Sequence, residues 1–81
     1  MITRAQCRAA RALLEWNQQD LAQQASVGIV TVHQFESGVS QPRRATLNVI
    51  RRAFEFAGVE FIDEDGGGPG LRLRKRQQKK G

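Results

Sequence analysis

The chain has 81 residues, 40% of them hydrophobic and 26% charged, with one Cys, one His, one Trp, no Tyr and a formal net charge of +5. A chain of this length forms one small domain that buries only about 60% of its unfolded surface, so its core is thin and a partner chain would add to it. A lone cysteine excludes an internal disulfide, and one Cys with one distant His excludes a four-ligand structural zinc site, which points to a reducing, cytoplasmic setting.

The start, MITRAQCRAAR, lacks the long apolar core of a signal peptide, and no apolar run approaches the ~20 residues of a membrane span, so no membrane association is expected. The distribution of charge says more than its total. Residues 1 to 58 hold seven Arg against four acids, residues 59 to 70 hold four acids and no base, and residues 71 to 81 hold six bases. A mildly basic globule with a basic tail suits a polyanion partner through long-range attraction and counterion release, and the same charge also serves plain solubility.

In chain order, Thr3 with Gln6 forms a capping-box pattern, and Cys7, Ala10, Leu13 and Leu14 follow at helical spacing, predicting a first helix over residues 4 to 15. Cys7 is read as a small buried side chain and Trp16 as a plug for the turn that follows. Asn17 with Asp20 caps a second, short helix that carries Leu21, Ala22 and Ala25 on one side. After a break near Ser26 to Gly28, a third helix is predicted from Ile29 to Ser37, with Val32 and Phe35 inward and Gly38 as its stop. Beyond the loop VSQP, Leu47, Ile50, Phe54 and Ala57 recur at three- and four-residue intervals and predict a fourth helix, ended by Gly58.

From there the period changes. VEFI and LRLR alternate on either side of DEDGGGPG, which predicts an antiparallel hairpin with strands near 59 to 62 and 71 to 75. Val59, Phe61, Leu71 and Leu73 would share a buried face, and Glu60 would lie with Arg72 and Arg74 on the outer one. The acids Asp63, Glu64 and Asp65 lack the calcium-loop spacing and read as a solvated hairpin tip. Arg74, Lys75, Arg76, Lys79 and Lys80 read as an arm tracking DNA phosphate, as a solubilising end, or as a strand edge followed by extraneous residues.

Two short helices joined by a tight turn form the architecture that inserts a helix into the DNA major groove. The stretch WNQQDLAQQASVGIVTVHQFESG, with its QxxLA, Thr-Val pair, Phe-Glu-x-Gly ending and following proline, resembles the Cro and phage-repressor-like (XRE) helix-turn-helix family, over roughly residues 4 to 57. The resemblance implies a mainly α, four-helix, lambda-repressor-like domain over residues 1 to 58. A C-terminal two-stranded antiparallel β-hairpin over 59 to 75 and a basic tail over 76 to 81 would follow. Two positions depart from the family pattern: Ser26 stands where Gly is frequent in the turn, and Gly28 where Ser or Thr caps the third helix and offers a hydroxyl to phosphate.

With Val32 and Phe35 inward, Ile29, Val30, His33 and Gln34 fall toward the outer and N-terminal side of the third helix and become the base-reading candidates. Gln34 would pair with adenine N6 and N7, His33 would donate to guanine or a phosphate, and Ile29 and Val30 would contact thymine methyls. Ile29 and Val30 are also compatible with a place in the core or in a dimer contact. The resemblance implies Gln18, Thr31, Arg43 and Arg44 as phosphate contacts, and a structural ion pair between Arg11 and Glu36.

The implied activity is that of a transcriptional regulator, in the first instance a repressor, binding a double-stranded inverted-repeat DNA operator as a homodimer, without enzymatic activity, cofactor or metal. Phe61, Ile62 and Leu73 are the dimer-interface candidates, being more apolar surface than one short hairpin readily buries. The alternative is a protein partner: the scaffold would then serve as an antiactivator or antitoxin, using the apolar Ile29-Val30 edge.

Overall fold

A computed structural model describes residues 1 to 62 and 70 to 74. The chain is mainly helical, with α1 (Arg4–Leu14), α2 (Gln18–Ala25), α3 (Ile29–Ser37) and α4 (Arg44–Phe56), followed by an antiparallel pair of strands, β1 (Val59–Ile62) and β2 (Gly70–Leu73). The acidic tip Asp63, Glu64 and Asp65 and the tail from Lys75 onward lie outside the described residues. Among the described residues no helix is long and apolar enough to cross a membrane.

Both predicted capping boxes form. Thr3 Oγ1 accepts from the Gln6 N–H at 3.1 Å while Gln6 Oε1 accepts from the Thr3 N–H at 2.9 Å, and Asn17 and Asp20 do the same for α2 at 2.7 and 2.9 Å. Each box satisfies two backbone donors that a helix start otherwise leaves unpaired. Helices α1 and α2 end on non-glycine residues in the left-handed region, Glu15 (φ 58°) and Ser26 (φ 57°). The Val27 N–H then donates to Ala22 O at 3.0 Å and closes the three-residue turn into α3. Gly38 (φ 82°) ends α3, where a β-carbon would also fall on the Arg4 guanidinium.

Phe54 occupies the centre of the core. Trp16 stacks on it at 5.7 Å between ring centroids and Phe61 meets it edge-on at 6.1 Å, geometries that the ring quadrupole favours. Leu21, Val32, Leu47, Ile50 and Val59 close around these rings, and Ile2, Cys7 and Ala10 bring α1 onto them. Gln6 is buried and donates through Nε2 to Gly70 O at 3.1 Å, tying the first helix to the last strand.

Three expectations for burial are corrected. Leu13 is exposed, because the covered stripe of α1 runs through Cys7, Ala10 and Leu14, and a helix turns about 100° between neighbouring residues. Ala57 lies beyond the end of α4 and is exposed, while Ala53 packs on the core instead. The antiparallel hairpin forms as expected, with Glu60 opposite Arg72 and Phe61 opposite Leu71, and Arg72 Nε reaches Glu60 Oε1 at 3.1 Å. Leu73, however, is 42% exposed at the end of β2, and the Arg74 side chain donates to Glu55 O at 2.8 Å rather than joining Glu60.

Candidate nucleic-acid interface

On α3, Val32, Phe35 and Glu36 are buried and define its inner side. Advancing about 100° per residue from them, Val30, His33, Gln34 and Ser37 fall on the opposite side, with Ile29 and Thr31 on the two flanks. Ile29, Val30 and His33 are exposed, and Thr31 and Gln34 are half-buried. Three of the four base-reading candidates, Val30, His33 and Gln34, thus share the outward half of one helix, and Ile29 flanks the inner side. Val30 alone is 61% exposed, so the core does not claim it.

The start of this helix carries no side-chain cap. Gly28 holds the extended conformation of a cap residue (φ −72°, ψ 146°) but has nothing to offer the first N–H groups of α3. At the other end, Gln34 O accepts from the Val39 and Ser40 N–H groups at 3.0 and 3.3 Å, which folds the α3–α4 loop back against the helix. That loop delivers Arg43 and Arg44 to the start of α4, both exposed and without an ion pair among the described residues.

What holds α3 in place is a buried carboxylate. Arg11 Nε donates to Glu36 Oε2 and Arg11 Nη2 to Glu36 Oε1, each at 2.7 Å, a two-pronged pair whose geometry suits guanidinium and carboxylate. Gln18 Nε2 donates to Oε1 at 3.1 Å and the Cys7 thiol to Oε2 at 3.1 Å. Arg11 Nη1 also reaches Trp16 O at 3.0 Å, and Arg8 Nη1 reaches the Glu36 carbonyl at 2.7 Å. One carboxylate therefore gathers α1, the start of α2 and the end of α3.

Burial pushes the Glu36 carboxyl up, but the hydrogen bonds from Arg11, Gln18 and Cys7 outweigh it and hold the group below the ordinary carboxylate range. Burial, together with the hydrogen bond to Glu36 and its negative charge, pushes the Cys7 thiol well above the ordinary thiol range, so it stays protonated and donates.

The Arg11–Glu36 pair expected from the sequence is thus present. The sequence reading missed that Cys7, Arg8 and Gln18 join it; the i, i+4 placement of Cys7 and Arg11 on one helix face was the available signal. Gln18 changes character as a result. Its side-chain amide donates one of its two hydrogens to Glu36 and so belongs to the network around that carboxylate.

The dimer candidates in the hairpin do not form one surface. Phe61 is buried against Phe54, with the Arg51 guanidinium 5.1 Å from its ring centroid, and belongs to the protomer core. Ile62 follows it and points to the opposite face of the sheet, while Leu73, opposite Val59, lies on the inner side at the sheet end. No known protein-family model matches the chain, and no curated protein shows significant similarity to it.

Proposed function

We propose that the protein is a cytoplasmic, sequence-specific regulator that binds double-stranded DNA through a lambda-repressor-like helix-turn-helix formed by α2 and α3. The observation that carries this reading is the division of α3 into two sides. Val32, Phe35 and Glu36 are its buried residues, and Val30, His33 and Gln34 on the other side, with Ile29 on the flank, have no side-chain hydrogen bond among the described residues. Such a side has donors, acceptors and methyl groups of the kinds that match base edges: Gln34 for adenine, His33 for guanine, Ile29 and Val30 for thymine methyl.

Thr31, the N-terminal N–H groups of α2 including that of Gln18, and the exposed cations Arg43 and Arg44 supply phosphate contacts on either side, which orient the helix without reading sequence. As a homodimer the protein would place two copies of α3 in successive major grooves about 34 Å apart on an inverted-repeat operator, and occupancy of a promoter by such a dimer represses it.

Selection from a random duplex pool tests this. Recovery of a two-fold symmetric motif is the expected result. A pool without a motif, and binding that vanishes at moderate salt, would leave only phosphate attraction. The exposed apolar pair Ile29 and Val30 would then favour the second reading, a protein-binding antiactivator or antitoxin.

A further inference from the structure

The first turn of α3 shows solvent an apolar front. Gly28 has no side chain, and Ile29 and Val30, which follow it, are 42% and 61% exposed. Thr31 brings the first hydroxyl, but it is half-buried and lies on the flank opposite Ile29. Local folding does not call for this pair: the core leaves Val30 uncovered, and β-branched residues form helix less readily than Ala, Gln or Lys at an exposed place. What branching supplies is stiffness. A helical Val or Ile holds one strongly preferred χ1 rotamer, so its methyl groups stand at fixed positions.

Ile29 lies in line with His33 and Val30 with Gln34, each polar residue four places further on and about 6 Å along the axis. That separation is close to two base-pair steps of about 3.4 Å, so the polar pair falls on other base pairs than the apolar pair. What Ile29 and Val30 meet, their side chains meet through carbon alone. At the major-groove edge thymine differs from cytosine twice, by a methyl group on C5 and by an O4 acceptor in place of the N4 amino donor. An aliphatic side chain senses the first difference and not the second. 5-Methylcytosine carries the same methyl group on the same carbon.

We infer that the first turn of α3 reads pyrimidine C5-methyl groups as such, Val30 and Ile29 favouring the methyl of thymine and that of 5-methylcytosine alike over an unmethylated cytosine. The inference rests on the DNA-binding reading above and adds a determinant that base sequence does not carry: methylation of a cytosine under this turn raises occupancy of the site. Burying one methyl group against these side chains corresponds to about a fourfold change in affinity.

Anisotropy titrations of the full chain on the duplex recovered from the random pool test the inference. Each thymine in turn is replaced by uracil, keeping its adenine, or the pair is replaced by cytosine or 5-methylcytosine opposite guanine. Uracil against thymine and cytosine against 5-methylcytosine each differ by the methyl group alone. The expected result is at least one position where both comparisons give about a fourfold loss without the methyl, and where the loss disappears in Val30→Ala or Ile29→Ala. Circular dichroism melts verify that the two variants fold. Uracil that binds as well as thymine throughout overturns the inference, as does a methyl effect confined to thymine or one undiminished in both variants. The two readings fail differently: a motif indifferent to the methyl groups sinks this inference and leaves base reading by His33 and Gln34 standing, whereas a pool without a motif sinks both.

Discussion

Arg11 and Glu36 meet through two hydrogen bonds of 2.7 Å, and the two members differ in exposure: the arginine side chain is 19% exposed and the glutamate 3%. The pair joins α1 to α3, so the pose of the outward side of α3 depends on a contact made on its inner side. The difference in exposure makes the pair unequal. Arg11→Ala strands a desolvated carboxylate and is expected to cost about 3–5 kcal/mol. Glu36→Gln leaves a guanidinium that solvent partly reaches, and costs less. Urea unfolding of both variants measures the two losses, and equal losses would contradict the asymmetry.

The same carboxylate makes stability depend on acid. Its folded pKa lies below the ordinary 4.5, so its contribution is full above that value and is lost as pH falls through the folded value. Wild-type stability should therefore decline from about pH 5 downward, and the decline should be shallower in Glu36→Gln. Urea midpoints of both chains at neutral pH and near pH 3 check this. Parallel declines would show that other carboxylates carry the acid sensitivity.

Two glycines at opposite ends of α3 should respond in opposite directions. A β-carbon on Gly28 meets only Thr31 Oγ1, at 3.9 Å, and the backbone there is already that of a cap residue. Gly28→Ser should add the missing acceptor and stabilise by a few tenths of a kcal/mol, roughly the difference between glycine and serine caps. Gly38 has φ 82° and lies under the Arg4 guanidinium, so Gly38→Ser should cost about 1–2 kcal/mol. Thermal and urea melts read both.

On the selected duplex, Gln34→Ala and Arg43→Ala should fail differently. Loss of a two-bond contact to adenine costs about 1–3 kcal/mol and relaxes preference at one base pair in each half-site. Loss of an exposed arginine at the start of α4 weakens all sequences alike and lowers the salt slope by about 1. Titrations of matched and single-mismatch duplexes across a salt series separate the two. A uniform loss in Gln34→Ala would remove that residue from base reading.

Local chemistry in the sequence was enough for the elements. Thr3 with Gln6 and Asn17 with Asp20 mark the helix starts because each pair satisfies its own orphan N–H groups within one turn. The bounds of α3 and the shared outer face of Glu60 and Arg72 follow equally from neighbours in sequence, from a glycine stop in the first case and from strand alternation in the second.

Periodicity also tells which residues share a side of an element, but not which side another element will cover. Phe54 and Phe56 are chemically identical and two residues apart, yet one is fully buried under Trp16 and the other 92% exposed, because the first ring, hairpin and α1–α2 turn all converge on one side of α4. Leu13, Ala57 and Leu73 part from expectation for the same reason. The network around Glu36 is the sharpest case. Cys7 and Arg11 from one face of α1 and Gln18 from the start of α2 become partners of one carboxylate on α3 only when three helices pack, since a buried charge gathers whatever donors the assembled core brings within reach. The sequence by itself determined the helices, their caps, the presence of the hairpin and which residues of α3 face inward; packing decided the strand register, which apolar groups are covered, which polar ones are paired, and that Phe56 stays exposed.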